Sequence, residues 1–313
     1  MQLHPGMNPL RRPAGIEIPT ILLAAAIYGG WIAATWWHAA MPAWLLPVAG
    51  GWLIAWHGSL QHETIHGHPT GIARLDAAIG AVPLALWLPY AVYRRTHLAH
   101  HATAAVTDPF DDPESRYLAA RPGWRGRLSR WAEMAQAPLI GRLLLGPPLT
   151  VARFLLGEVA RGRADPRGVA REWLPHLAGV ACVIAWLRLC GFDLPLYLLT
   201  FVYPGTALSL LRSFAEHRAD ADPARRVAVV EQAGPLALLF LNNNLHAAHH
   251  RAPGIAWYRL PAYYRRHRDR LIAANGGLLY RGYGDVARRF LLRPHDALIH
   301  PAHRFVQRAG ISG

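Results

Sequence analysis

Three short histidine-rich windows govern what this 313-residue chain can fold into. They are His62-Glu63-Thr64-Ile65-His66-Gly67-His68, His97-Leu98-Ala99-His100-His101 and Asn242-Asn243-Asn244-Leu245-His246-Ala247-Ala248-His249-His250, and they hold nine of its eighteen histidines. On a helix, imidazoles at i, i+3 and i+4 fall within an arc of about 100° on one face. Three neutral rings crowded there, with nothing acidic among them, make sense when a metal takes their lone pairs. A single histidine in an apolar chain is ordinarily a satisfied core or surface residue. Two HxxHH clusters and an HxxxH in one chain point instead to several ligands converging on metal.

The rest of the sequence says where that convergence can happen. Hydrophobic residues make up 52% and charged residues 17%, with 12 tryptophans, a balance suited to a membrane-embedded protein. Four apolar runs stand out, at about 16–39, 42–60, 173–189 and 194–212, each near the ~20 residues that a bilayer crossing needs. The first two form one hairpin and the last two another. Arginines flank their inner ends: Arg11 and Arg12 precede the first, and Arg74, Arg94 and Arg95 follow the second. The chain has no lysine, so its formal charge of +14 is arginine's alone. By the positive-inside rule both hairpins close on the outside, with both termini in the cytoplasm. Such a pattern reads as contact with anionic lipid headgroups or an acidic partner protein, and not as nucleic-acid binding.

The apolar stretch from Ala77 to Tyr93 is not expected to cross: a crossing there would put the first two histidine windows on opposite sides. It reads as an interfacial or re-entrant element broken at Pro83 and Pro89. The region from about Arg121 to Arg163 is expected as helices lying along the membrane surface, and Pro235 to Leu241 is too short to span. Trp257, Tyr263, Tyr264, Arg265 and Arg266 read as a headgroup-level rim, and the basic tail from Arg288 to Gly313 is uninformative. Cys182 and Cys190, eight residues apart in one apolar run, read as buried thiols. The expected fold is therefore an all-α integral membrane domain over 1–313: four transmembrane helices in two hairpins, with a cytoplasmic helical cap (61–172 and 213–313) holding a di-metal site.

His62, His66, His97, His100, His101, His246, His249 and His250 are too many imidazoles for one ion. Two ions of five or six coordination with open positions would use them. Imidazole suits iron, copper, zinc or nickel, and redox chemistry beside a membrane favours iron. Asn243 and Asn244 are placed to orient imidazoles or a bound water, or to cap a helix. Glu63, Asp108, Asp111 and Glu216 are candidate acceptors for ligand N–H groups. Glu216 is the foremost of them, whereas the aspartates of Thr107-Asp108-Pro109-Phe110-Asp111-Asp112-Pro113-Glu114 read as solvated turn residues. His68 points away from His66 unless the helix has ended between them, and His57 is expected to pack inside the second span.

The pattern HxxxH, HxxHH, HxxHH after the second of four spans resembles the membrane fatty acid desaturase/hydroxylase family over nearly the whole chain. The family's boxes match His62 to His66, His97 to His101 and His246 to His250, and its further histidine after the fourth span matches His217. Ser213 stands where some members have a metal-positioning asparagine. The motifs look most like those of bacterial members, including a rhizopine-oxygenase-like group. The resemblance implies two non-heme irons at a bacterial inner membrane, with O2 as co-substrate, a lipid or acyl substrate to be desaturated or hydroxylated, and a separate electron donor such as a ferredoxin. A carotenoid-type ketolase or hydroxylase and a rhizopine-type oxygenase are alternatives within this chemistry. A membrane metal transporter or sensor is the alternative outside it, but transporters place their ligands near mid-membrane, not beyond the span ends.

Overall fold

The computed structural model describes residues 15–118 and 123–303. Arg11 and Arg12, Arg121, and the end of the basic tail lie outside those residues. The chain folds into helices α1 (Ile18–Trp36), α2 (Leu45–Ile65), α3 (Ala73–Gly80), α4 (Tyr90–Ala102), α5 (Gly123–Gln136), α6 (Leu139–Leu144), α7 (Gly146–Ala164) and α8 (Pro166–Leu189). Then α9 (Leu194–Tyr197) runs through a π-helical turn at Leu198–Val202 into α10 (Tyr203–Glu216). After these come β1 (Val229–Val230), α11 (Pro235–Leu239), α12 (His246–Arg251), α13 (Leu260–Ala274), β2 (Leu279–Tyr280) and α14 (Tyr283–Phe290).

Each of the four apolar runs is helical. Among the described residues, two helices are long and apolar enough to cross a membrane: Ile18–Trp36 and the continuous Leu194–Glu216. Helix α2 is diluted by Gly50, Gly51 and its polar last turn, and α8 by Arg167, Arg171 and Glu172 near its start. Helix α8 starts where proline belongs, in its first turn, and Asp165 caps it by accepting from Gly168 N–H at 2.9 Å. The stretch from Ala77 to Tyr93 is not one helix, because α3 stops at Gly80 and residues 81–89 are irregular. Pro138 separates α5 from α6, while Pro147 falls in the first turn of α7, where its missing N–H costs nothing.

The long helices are joined by a core that includes Trp31, Leu53, Ile54, Val183, Leu187 and Phe201. Polar ties run through it: Trp31 Nε1 donates to Tyr197 Oη at 2.9 Å, and Tyr197 Oη donates to the Leu84 carbonyl at 2.7 Å. His57 is buried, with its Nε2 3.3 Å from Tyr28 Oη. Glycine lets α2 and α10 meet closely: a Cβ built on Gly205 would stand 2.5 Å from the Ile54 side chain, whereas one on Gly29 meets nothing within 4 Å. Gly205→Val is therefore expected to destabilise the protein by about 1–3 kcal/mol or more through overpacking. Gly29→Ala should be neutral or slightly stabilising. Thermal unfolding of the two variants in detergent checks the contrast.

Three expectations need correction. Cys182 is exposed on α8 and Cys190 half-buried, both as free thiols, because Val183 and Leu187 carry the helix's inward face. Tyr264 is no rim residue: it is buried against Val229, Leu260 and Leu271, and its hydroxyl donates to Glu231 at 2.6 Å. The segment after α14 is structured as far as His303. It pairs with the acidic loop through Leu118 N–H to Leu298 O at 3.0 Å, and His295 N–H reaches Ala137 O at 3.1 Å.

Candidate metal centre

The first two histidine windows, and His217, fall at helix C-terminal ends. His62 lies in the last turn of α2 and His66 caps it. His100 and His101 end α4, and His217 caps α10. Helix α12 is a short helix made almost wholly of the third window. The unsatisfied carbonyls at a helix C-terminus carry partial negative charge, so these ends favour a cation where they converge. Two backbone bonds fix the third window: Ala247 N–H to Ala228 O at 3.1 Å and Val230 N–H to Asn244 O at 2.8 Å. Strand β1, which pairs in parallel with β2, thus stands between His217 and α12 and sets their spacing.

The structure gathers the expected residues into two groups. His62, His66, His97, His101 and His249 form one, and His100, His217, His246 and His250 the other, with the ligand atoms of each group within 4.8 Å of one another. In the first, His97 Nε2 lies 3.0 Å from His66 Nε2 and 3.1 Å from His101 Nε2, which is 3.1 Å from His249 Nε2. In the second, His246 Nε2 lies 2.9 Å from His217 Nε2 and 3.1 Å from His250 Nε2, which is 3.3 Å from His100 Nε2. Ligands at right angles around an ion with bonds of about 2.1 Å would stand about 3.0 Å apart, so the spacing suits coordination. His62 Nε2 is buried without any hydrogen-bond partner, as a nitrogen aimed at an ion would be.

The other face of several rings explains why Nε2 points inward. His97 Nδ1–H donates to Glu114 at 3.1 Å and His100 Nδ1–H to Asp112 at 2.8 Å. His246 Nδ1–H donates to Asn243 Oδ1 at 3.1 Å, and His217 Nδ1–H to the Arg226 carbonyl at 3.3 Å. Each such bond fixes the tautomer and leaves the Nε2 lone pair free. Burial first, and then the charge of neighbouring rings, holds His246, His249 and His250 well below the usual histidine range, and brings His217 down to about 3. The neutral form they are driven to is the one that binds a metal.

Other candidates sort by what they touch. Glu216 Oε1 accepts from Asn243 Nδ2 at 3.2 Å, lies 3.4 Å from His246 Nδ1 and ion-pairs with Arg212 at 3.0 Å. Asn244 instead donates to the Val230 carbonyl at 2.7 Å. The helix cap of α12 is Leu245, and no side chain caps it. Glu63 stands 3.7 Å from His62 Nδ1, beyond hydrogen bonding, and accepts the Trp257 N–H. Helix α2 does end before His68: Gly67 takes φ of 90°, and His68 turns to donate to Glu17 at 3.0 Å. Among the described residues, the Ser213 hydroxyl bonds only the Leu210 carbonyl.

Asp112 and Glu114, which the sequence marks only as loop residues, are positioning residues. Asp112 is 4% exposed, while Asp111 does face outward. Asp112 Oδ2 also accepts the Thr107 N–H at 2.7 Å, and Asp108 is bound by His303 at 2.8 Å. The set Asp108, His300 and His303 has metal-like composition, but its donors are engaged: His300 Nε2 contacts Thr107 Oγ1, and its Nδ1 accepts from Ala302 N–H. It pins the C-terminal segment onto the loop. Between that loop, α4, α7 and α10 lies a cavity of about 640 Å³ whose lining includes His97, His100, His217 and His246.

A mainly helical chain with two all-imidazole groups beside a cavity presents the donor set of a two-ion site. A family model described as fatty acid desaturase matches residues 39–284, and the chain belongs to that family. It is accordingly an oxidoreductase, and the family implies a lipid or acyl substrate. No curated protein matches the chain.

Proposed function

We propose that this protein is a membrane-bound non-heme di-iron oxidoreductase. It would use O2 and external electrons to desaturate or hydroxylate an unactivated C–H position of a fatty acyl or other lipid-like substrate. The observation that carries this reading is the pair of all-imidazole groups with Nε2 atoms inward, four of whose members line one cavity. His62, His66, His97, His101 and His249 would hold one ion, and His100, His217, His246 and His250 the other. Bound there, iron would supply activation of O2 and oxidation of the nearby C–H bond. The chain's own part is positional. Glu114, Asp112 and Asn243 keep the rings in one tautomer, and the cavity walls hold the substrate against them. How the substrate lies decides between alkene and alcohol, since one ligand set serves both.

The helicity of all four apolar runs supports a four-crossing arrangement, and the arginines flanking their inner ends favour a cytoplasmic histidine side. Leu22, Ile32, Val48, Leu189 and Leu199 are exposed along them, as lipid-facing residues would be. Electrons would come from a separate carrier, and exposed arginines such as Arg265, Arg266 and Arg270 suit an acidic one. Electron transfer from such a carrier should slow as salt is raised from about 0.05 to 0.5 M, which stopped-flow reduction reads. A rate indifferent to salt removes the acidic-donor assignment.

Metal analysis with Mössbauer spectroscopy on detergent-purified protein tests the centre itself, alongside a His249→Ala variant. The expected result is about two irons per chain as a coupled pair, one for each histidine group, lost or halved in the variant. Zinc alone, or iron unaffected by the change, removes the oxidative reading and brings the transporter or sensor reading forward.

A further inference from the structure

The cavity beside the histidines is walled by charge to a degree that a hydrocarbon alone does not call for. Six arginines line it. Arg95, Arg116, Arg153, Arg161 and Arg212 each pair with a carboxylate at 2.5 to 3.4 Å. Arg142, 8% exposed, has no carboxylate partner among the described residues. Its Nη1 donates to the neutral Gln136 side chain at 3.0 Å, and its buried Nε has no partner. The nearby Glu133 carboxylate is taken up by Arg153 at 3.3 Å, so Arg142 is a buried cation with no counter-ion in contact, and an anion arriving from the cavity would relieve that cost. Burial lowers Arg142 to about 9, which leaves it charged at neutral pH.

The same cavity has an apolar side. Trp87 and Phe154 meet edge to face at 5.4 Å, with Leu88 and Val92 also in the lining. Trp87 Nε1 is a second buried donor without a partner. Resting on the reading of this cavity as the substrate site, we infer that the ligand is an amphiphile with a free oxyanion head, carboxylate or phosphate, held by Arg142 while its apolar body lies along Trp87 and Phe154. Arg142 is then a specificity-determining residue: it selects a free acid over a neutral lipid.

Equilibrium dialysis of the full-length, metal-loaded protein against octanoate, octyl phosphate and octanol tests this without turnover, O2 or an electron donor. The wild type is expected to prefer at least one of the anions over octanol by about tenfold or more, the scale of one charge-assisted contact. Whether octanoate or octyl phosphate wins tells carboxylate from phosphate. Arg142→Gln should remove the preference while leaving octanol affinity and metal content unchanged, and Arg142→Lys should restore part of it. Equal binding of acid and alcohol, a preference that survives in Arg142→Gln, or no binding of any of the three overturns the inference. A head-group preference in a protein whose metal proves not to be iron would leave the inference standing and remove the oxidative reading.

Discussion

Replacing His97 by alanine should lower turnover by about 10³-fold or more and halve the metal content. His97 is 3% exposed and central to its group, within 3.1 Å of the Nε2 atoms of both His66 and His101. Four imidazoles would remain in that group, with the ring-sized gap opening toward the cavity. Parts that act as a unit are not additive, so loss of one essential member costs nearly as much as loss of the whole. The second group shares no ligand with the first and should keep its ion. His68→Ala is the matched control, since His68 belongs to neither group. It should retain both ions and lose only about 1–3 kcal/mol of stability, since Glu17 gives up its His68 donor and keeps that of Thr20 Oγ1 at 3.2 Å. Two retained ions and normal turnover in His97→Ala would contradict the assignment.

Asp112→Ala should weaken metal binding at the second group by about 10- to 100-fold, the usual effect of removing a ligand's hydrogen-bond partner. Asp112 Oδ1 accepts from His100 Nδ1 at 2.8 Å and from Glu114 N–H at 2.9 Å, while Oδ2 accepts Thr107 N–H at 2.7 Å. Alanine strands all of these donors. Asparagine keeps the shape, yet its amide nitrogen would face either an N–H or the donating edge of His100, so it should not restore full affinity. Glu114, which faces the cavity and meets one ring only, should matter less. Competition for iron against a graded chelator, compared across Asp112→Ala, Asp112→Asn and Glu114→Gln, measures the order. Wild-type affinity in both Asp112 variants would show that Asp112 does not orient His100.

The legible parts of this protein are those whose signal is local. Histidines at i, i+3 and i+4 declare a shared helix face wherever the chain goes, and an apolar run of helix length declares a helix. The grouping into five and four, however, depends on how the four helices α2, α4, α10 and α12 meet, which spacing within one window does not contain. Asp112 reads as a turn residue because it opens the second of two Asp-Pro steps, Asp108-Pro109 and Asp112-Pro113, which are turn chemistry, and so it is. What buries it is distant: the segment from Leu291 to His303 returns across the loop and clamps it through His300 and His303. Tyr264 reads as a rim residue for the same reason, since its partners Val229 and Glu231 lie more than thirty residues away. Arg142 stands out only when every other arginine around it has been paired.

Asp112 belongs at once to a ligand's support and to the cavity wall. The carboxylate that receives His100 Nδ1–H also receives the backbone N–H groups of Thr107 and Glu114, two residues of the cavity lining. One side chain thus ties the seat of an ion to the shape of the chamber beside it. A change that moves Asp112 is felt at both places at once, so metal affinity and ligand preference cannot be altered independently at this position.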